Sequence, residues 1–132
     1  MYNAVATQII AILNTISGIN IVYDGEKKEL KKYPAACVSF IGHQNKFNDS
    51  AANRRVVSFM IRVYYRSEDE TDAEQTVRNI ADAIVSAIES NVTLNGSCEL
   101  ATPTTGKGFY AEREVPVRGI EITIDAVKRV IR

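Results

Sequence analysis

The residue types that could do chemistry fall in a few places. His43 is the chain's one histidine. A nucleophilic triad or a zinc site needs further partners, and the sequence sets none beside it. Its surroundings, IGHQNKFNDSAANRRVV from Ile41 to Val57, are polar, which makes His43 a surface residue of a long loop. Glu68, Asp69, Glu70 and Asp72 offer paired carboxylates, the material of general acid–base catalysis. Yet they open a helix, where acids suit the positive end of the dipole and Thr71 with Glu74 matches a capping box. Capping and solvation account for them without catalysis. ATPTTGKG, Ala101 to Gly108, invites comparison with the phosphate loop GxxxxGK[ST]. Ala101 stands where the first glycine belongs, and Gly108 replaces the hydroxyl that would hold Mg²⁺. No helix follows to aim a dipole at a phosphate. The segment reads as a flexible loop with Lys107 in solvent. Cys37 and Cys98 lie in strand-like runs without CxxC spacing, as buried reduced thiols do, so neither a disulfide nor a metal is expected. Asn91-Val92-Thr93 matches a glycosylation pattern, but no secretion signal accompanies it.

Any such residues must be held by one small scaffold. The chain has 132 residues, 45% hydrophobic and 24% charged, which suits a single soluble domain over 1–132. Sixteen basic and sixteen acidic residues cancel. A duplex-DNA binder carries a basic excess, so nucleic acid as the main partner is disfavoured. Near-zero net charge also gives little self-repulsion, which eases association. No apolar run approaches the roughly 20 residues of a membrane span. Six Tyr and four Phe could stack on bases, but most fall on expected buried faces or strand ends.

Val5, Ile9, Ile12, Leu13 and Ile16 form one apolar stripe at helical spacing, ended by Ser17-Gly18. Ile19 to Tyr23 reads as a short strand closed by Asp24-Gly25. GEKKELKK is a charged connector. AACVSFIG is apolar on both faces, as a central strand would be. Val57, Phe59, Ile61, Val63 and Tyr65 alternate with polar or mixed neighbours, the period of a half-buried strand. Val77, Ile80, Ala81, Ile84 and Ile88 stripe a second helix, ended by Asn91 to Gly96. Glu99 to Thr102 starts a strand before the loose PTTGKG. Phe109 to Val117 is extended, with Pro116 favouring an edge or a bend. Ile120, Ile122, Ile124 and Ala126 alternate until Lys128 falls where an apolar residue is due, which predicts a bulge or an exit from the sheet. The order predicts an α+β fold, a mostly antiparallel sheet with two helices packed on one face.

Charge is unevenly laid out. From Glu26 to Arg62 eight basic residues face three acids; from Arg66 to Glu89 seven acids face Arg66 and Arg78. One reading is two solvated faces. The other is opposite flanks that meet when copies pack head to tail, a contact that closes into a ring if the rotation allows. The long polar loop would then reach a neighbour. Lys46, Phe47, Arg54 and Arg55 on one flank and Glu68, Asp69, Glu70 and Asp72 on the other are the expected protein-interaction residues, with Phe47 as the apolar anchor. The alternative for the loop is a tolerated insertion, since loop length costs about 0.6 kcal/mol per doubling.

MYNAVATQIIAILNTI, YPAACVSFIG, VVSFMIRVYYRS, DETDAEQTVRNIADAIVSAI and GIEITIDAVKRV, in this order, resemble the tail terminator (tail completion) proteins of long-tailed bacteriophages. The resemblance is one of length, element order and character, without a signature motif. It implies a non-enzymatic structural protein with no cofactor, whose oligomeric, hexameric ring caps the tail tube, ends its polymerisation and joins it to the head. The implied partners are copies of itself, the major tail tube protein and a head-side connector. DNA would pass through without being specifically bound, and no membrane is involved. The implied place is the tail–head junction of the virion, assembled in the bacterial cytoplasm. A neck or head-completion connector is the alternative, and after it a small nucleotide binder using PTTGKG.

Overall fold

A computed structural model describes residues 1–47, 52–66, 70–112 and 116–131, with side chains for 1–44, 54–66, 72–110 and 116–129. Helix α1 spans Tyr2–Asn14 and α2 Glu70–Glu89; the strands are β1 Ile21–Asp24, β2 Ala35–Phe47, β3 Ala52–Tyr65, β4 Leu100–Glu112 and β5 Pro116–Ile131. They form one sheet in the order β1-β2-β3-β5-β4. Only β1 and β2 run parallel; the other neighbours are antiparallel. This is the expected α+β arrangement.

Both helices lie on one face, because their stripes need the same apolar floor. Val5, Ile9, Ile12 and Leu13 of α1 join Ile80, Ile84 and Ile88 of α2 over Val57, Phe59, Ile61 and Val63 of β3 and Ile122, Ile124 and Ala126 of β5. Ile16 and Ala81 pack at its margin. Thr71 lies inside the first turn of α2 rather than at its cap, since the helix is already under way at Glu70. The chain leaves α2 through Leu94, Asn95 and Gly96, all at positive φ. Leu94 is fully buried in the core, so packing holds a conformation that a leucine rarely takes. Burial pushes the Cys98 thiol pKa up, and Cys37 is also buried. Thiolates are the reactive form. Both cysteines should therefore resist iodoacetamide at pH 8 in the folded chain and react within minutes in denaturant, counted by mass spectrometry.

The opposite face of the sheet is covered only at one end. There the connector between β1 and β2, through Leu30 and Tyr33, packs with Tyr23 on Cys37, Tyr64, Val117 and Phe109. Tyr64 donates a hydrogen bond to Glu26 at 2.9 Å. Arg62 donates to Glu121 on the adjoining strand, from Nε at 2.8 Å and from Nη2, and sits over the Phe109 ring at 5.5 Å. The Glu121 hydrogen bond is the chief reason that the Arg62 guanidinium is held above its usual range.

Three expectations change. PTTGKG is not a loop. It runs inside β4 with Lys107 opposite Glu121, and its one irregularity lies between Pro103 and Thr105. An extended strand cannot wrap a phosphate with successive N–H groups, so the nucleotide reading loses its site. Pro116 opens β5, a position that needs no ladder donor. At Val127 and Lys128 there is no bulge: pairing with β3 continues in register through Val56↔Val127 and Arg55↔Lys128. The alternation ends because the strand outruns the helices, so the face that carried Ile124 and Ala126 no longer needs an apolar residue.

Candidate functional site

The stretch from Ile41 to Val57, expected as a polar contact loop, is mostly strand. β2 continues to Phe47 and β3 begins at Ala52, paired as His43↔Val57, Gln44↔Val56, Asn45↔Arg55, Lys46↔Arg54 and Phe47↔Asn53. Residues 48–51 lie outside the described ones. A long hairpin needs no hydrophobic alternation to pair its backbone, and β5 adds a third strand as far as Ala52↔Ile131. The result is a three-stranded arm. β4 pairs with β5 only as far as Leu100↔Val127, so beyond that point the arm stands without it.

At the arm's root, Tyr2 of α1 packs edge-on against Phe40, with centroids 5.2 Å apart, and its hydroxyl lies 2.8 Å from His43 Nδ1. His43 is therefore a strand residue with an aromatic partner, not a loop histidine. Phe40 remains 53% exposed. The β2–β3 register shifts between Phe40 and Gly42, where the arm leaves the body of the sheet.

Three of the expected contact residues gain a sharper setting. Lys46, Arg54 and Arg129 share one cross-strand row, and Arg55 and Lys128 share the next. Like charges directly opposite in a sheet oppose its stability, by about 0.2–1 kcal/mol a pair. Arg54, Lys128 and Arg129 are exposed and Arg55 is half-buried. Over His43–Val57 and Ala126–Arg132 the sequence carries six cations and one acid, Asp49. Lys128 and Arg129 were missed by the sequence reading. Only the three-strand register, which joins residues about 75 apart in sequence, reveals them.

The acidic set is brought together with other groups. Glu70 heads α2. Asp72 accepts a hydrogen bond from the Tyr65 hydroxyl at 3.2 Å, and Glu74 lies 4.0 Å from Arg118. Burial, then the Asp72 bond, holds the Tyr65 phenol above its usual range. Glu68 and Asp69 fall outside the described residues, as does the side chain of Phe47. Arg62, counted on sequence with the positive flank, is neutralised locally by Glu121 and Glu26. The connector lysines sit near the Ala35 end of β2, while the arm lies at the Phe47 end. Twelve steps of strand separate them, about 40 Å. The single positive flank of the sequence is thus two separate regions. α2 begins where β3 ends, so its acidic first turns lie at the end opposite the arm.

Among the described residues no group of three or more His, Cys, Asp or Glu is arranged to hold a metal ion, and no helix is long and apolar enough to cross a membrane. No protein-family profile matches the chain, and no curated protein does. Among solved structures, a chain in the virion of a native gene transfer agent (GTA) particle is similar at 18% identity and a TM-score of 0.49, the match covering 97% of this chain and 92% of that one.

Proposed function

We propose that this chain is a structural subunit of a phage-type virion, a tail terminator that assembles as a hexameric ring, caps the tail tube at its junction with the head and stops tube growth. It acts through surfaces and performs no catalysis. Its partners are copies of itself, the tail tube protein and a head-side connector. The observation that carries this reading is the basic arm set at the opposite end of the molecule from the acidic start of α2. Head-to-tail packing brings such ends together and leaves both repeated around a closed ring. The element order resembling the tail terminators supports the same reading.

Native mass spectrometry and negative-stain microscopy of the purified chain, alone and with tail tubes, test it. Hexamers or rings, and particles at tube ends, are expected. A chain that stays monomeric at high concentration and ignores tube ends overturns the proposal.

Replacing Arg54→Glu together with Arg55→Glu separates assembly from folding. Each new carboxylate takes a register position opposite cations on neighbouring strands, Lys46 and Arg129 for one and Lys128 for the other. The monomer should therefore keep or slightly gain stability, by a few tenths of a kcal/mol. Assembly should weaken about tenfold or more, because the arm loses its charge toward a neighbour. Urea melts and sedimentation velocity read the two effects separately.

A further inference from the structure

The helices cover one face of the sheet, and the connector covers only one end of the other. The rest of that second face is open. Residues that alternate with the core-facing Val57, Phe59 and Ile61 of β3 point into it, as do those that alternate with Ile122, Ile124 and Ala126 of β5. Around Met60 its floor is made of short hydroxyl residues, Ser58 and Thr123 with Thr102 on β4. Its two acids are engaged: Asp125 accepts a hydrogen bond from Ser58 at 2.6 Å, and Glu121 is held by Arg62. Cations stand at both ends. Arg54 and Arg129 are exposed where the arm begins, Lys107 is exposed on β4, and Lys31 and Lys32 are exposed on the connector at the far end. The opposite sign gathers on the reverse side, where α2 carries Glu70, Asp72, Glu74, Asp82 and Glu89 against Arg78. The zero net charge of the chain thus averages two unlike sides.

We propose that this open face binds the phosphate backbone of duplex nucleic acid, without regard to base sequence. The inference goes beyond the ring reading and holds for a single subunit. Charge complementarity selects a polyanion: the cations of the open face attract it and α2 repels it, so only one side of the molecule can take it. Spacing selects a duplex. Ten steps of β3 separate Arg54 from Tyr64, the residue beneath the connector, which is about 34 Å. A duplex turns once in about 34–36 Å, so phosphates of one strand come round to Arg54 and again to the connector lysines. Side-chain chemistry selects the backbone rather than the bases. Serine and threonine hydroxyls donate to phosphate oxygens. Among the described residues the exposed aromatic rings are Tyr2, Phe40 and Tyr110, and all three lie on the helix side, so none is offered for base stacking here. Arg55 and Lys128, in the next row of the arm, also point to the helix side and remain for a neighbouring subunit.

Fluorescence anisotropy of the full chain with labelled DNA duplexes of unrelated sequence, over about 50 to 200 mM salt, tests this. Equal affinities for the different sequences are expected, with log affinity falling against log salt at a slope of about −3 to −5. Lys31→Gln with Lys32→Gln should reduce that slope by about two and weaken binding at least about tenfold at the lowest salt; Arg54→Gln should reduce it by about one. Arg78→Gln removes the same charge from the exposed side of α2 and should leave slope and affinity within about twofold. No binding at the lowest salt, a strong preference for one sequence, or an equal loss in Arg78→Gln overturns the assignment. Displacement of the duplex by polyglutamate at equal charge also overturns it, in favour of an acidic protein surface. The lysine pair lies far from the arm, so rings that persist in that variant while duplex binding is lost keep the two proposals separate.

Discussion

Gly119→Ala should cost the fold about 3 kcal/mol and lower the melting temperature by roughly 10 °C. A methyl at this position would sit 2.1 Å from the Val63 carbonyl oxygen and 2.5 Å from the Phe109 ring. The first contact is with paired backbone close to the Tyr65 end of the β3–β5 ladder, so it cannot step aside without disturbing that pairing. The second is with a ring already fixed edge-on to Tyr64, at 5.4 Å between centroids, and under the Arg62 guanidinium. Phe109 fills the space that the missing side chain leaves, and that is why it stands opposite Gly119 in the ladder. Trimming Phe109 in the Gly119→Ala background should recover little, because the carbonyl clash remains. Gly106→Ala is the matched control. It lies on the neighbouring strand with open space around its Cβ position, and should leave the melting temperature within about 2 °C or raise it slightly. Differential scanning calorimetry compares the three. Equal melting temperatures for wild type and Gly119→Ala would refute the close approach.

Ile122→Asp should leave the chain largely unfolded at neutral pH. Ile122 is 1% exposed, with Ile61 beside it on β3 and Gly106 on β4. Losing its packing costs about 2–5 kcal/mol. The carboxylate adds several kcal/mol more, since it would be buried among the aliphatic side chains of the core. Together these rival the 5–15 kcal/mol that holds a typical domain. Thr123→Asp, one residue on, points to the other face and should lose less than about 1 kcal/mol. Far-ultraviolet circular dichroism at 20 °C distinguishes them. A folded Ile122→Asp chain would mean that β5 is paired one residue out of the register described.

The body of this fold was legible because its signals are periodic. The stripe Val77, Ile80, Ala81, Ile84, Ile88 and the alternation from Val57 to Val63 each depend on one buried face, and each is found there. The arm was not legible, for the converse reason. Gln44, Asn45 and Lys46 carry no hydrophobic alternation, and their strand state rests on backbone pairing that any sequence can make. PTTGKG misled in the same way, since Gly106 and Gly108 resemble loop residues although both are paired within β4. Tyr64 falls by its spacing among the polar or mixed neighbours of that alternation, yet it is buried because the connector folds over it. The basic rows of the arm were half visible: Arg54 and Arg55 stand out in sequence, but Lys128 and Arg129 join them only through the β5 register.

The order of the strands has a consequence for synthesis. β5 is the last element described, and it is wedged between β3 and β4. Until it emerges from the ribosome, β3 presents a bare fourteen-residue margin and β4 has nothing to pair with. The nascent chain therefore carries sticky, unfinished sheet until β5 has emerged to fill the gap between β3 and β4. Copies that meet on one polysome before that moment can capture each other's open margins, so slow translation or crowded expression should favour tangled aggregates over soluble subunits.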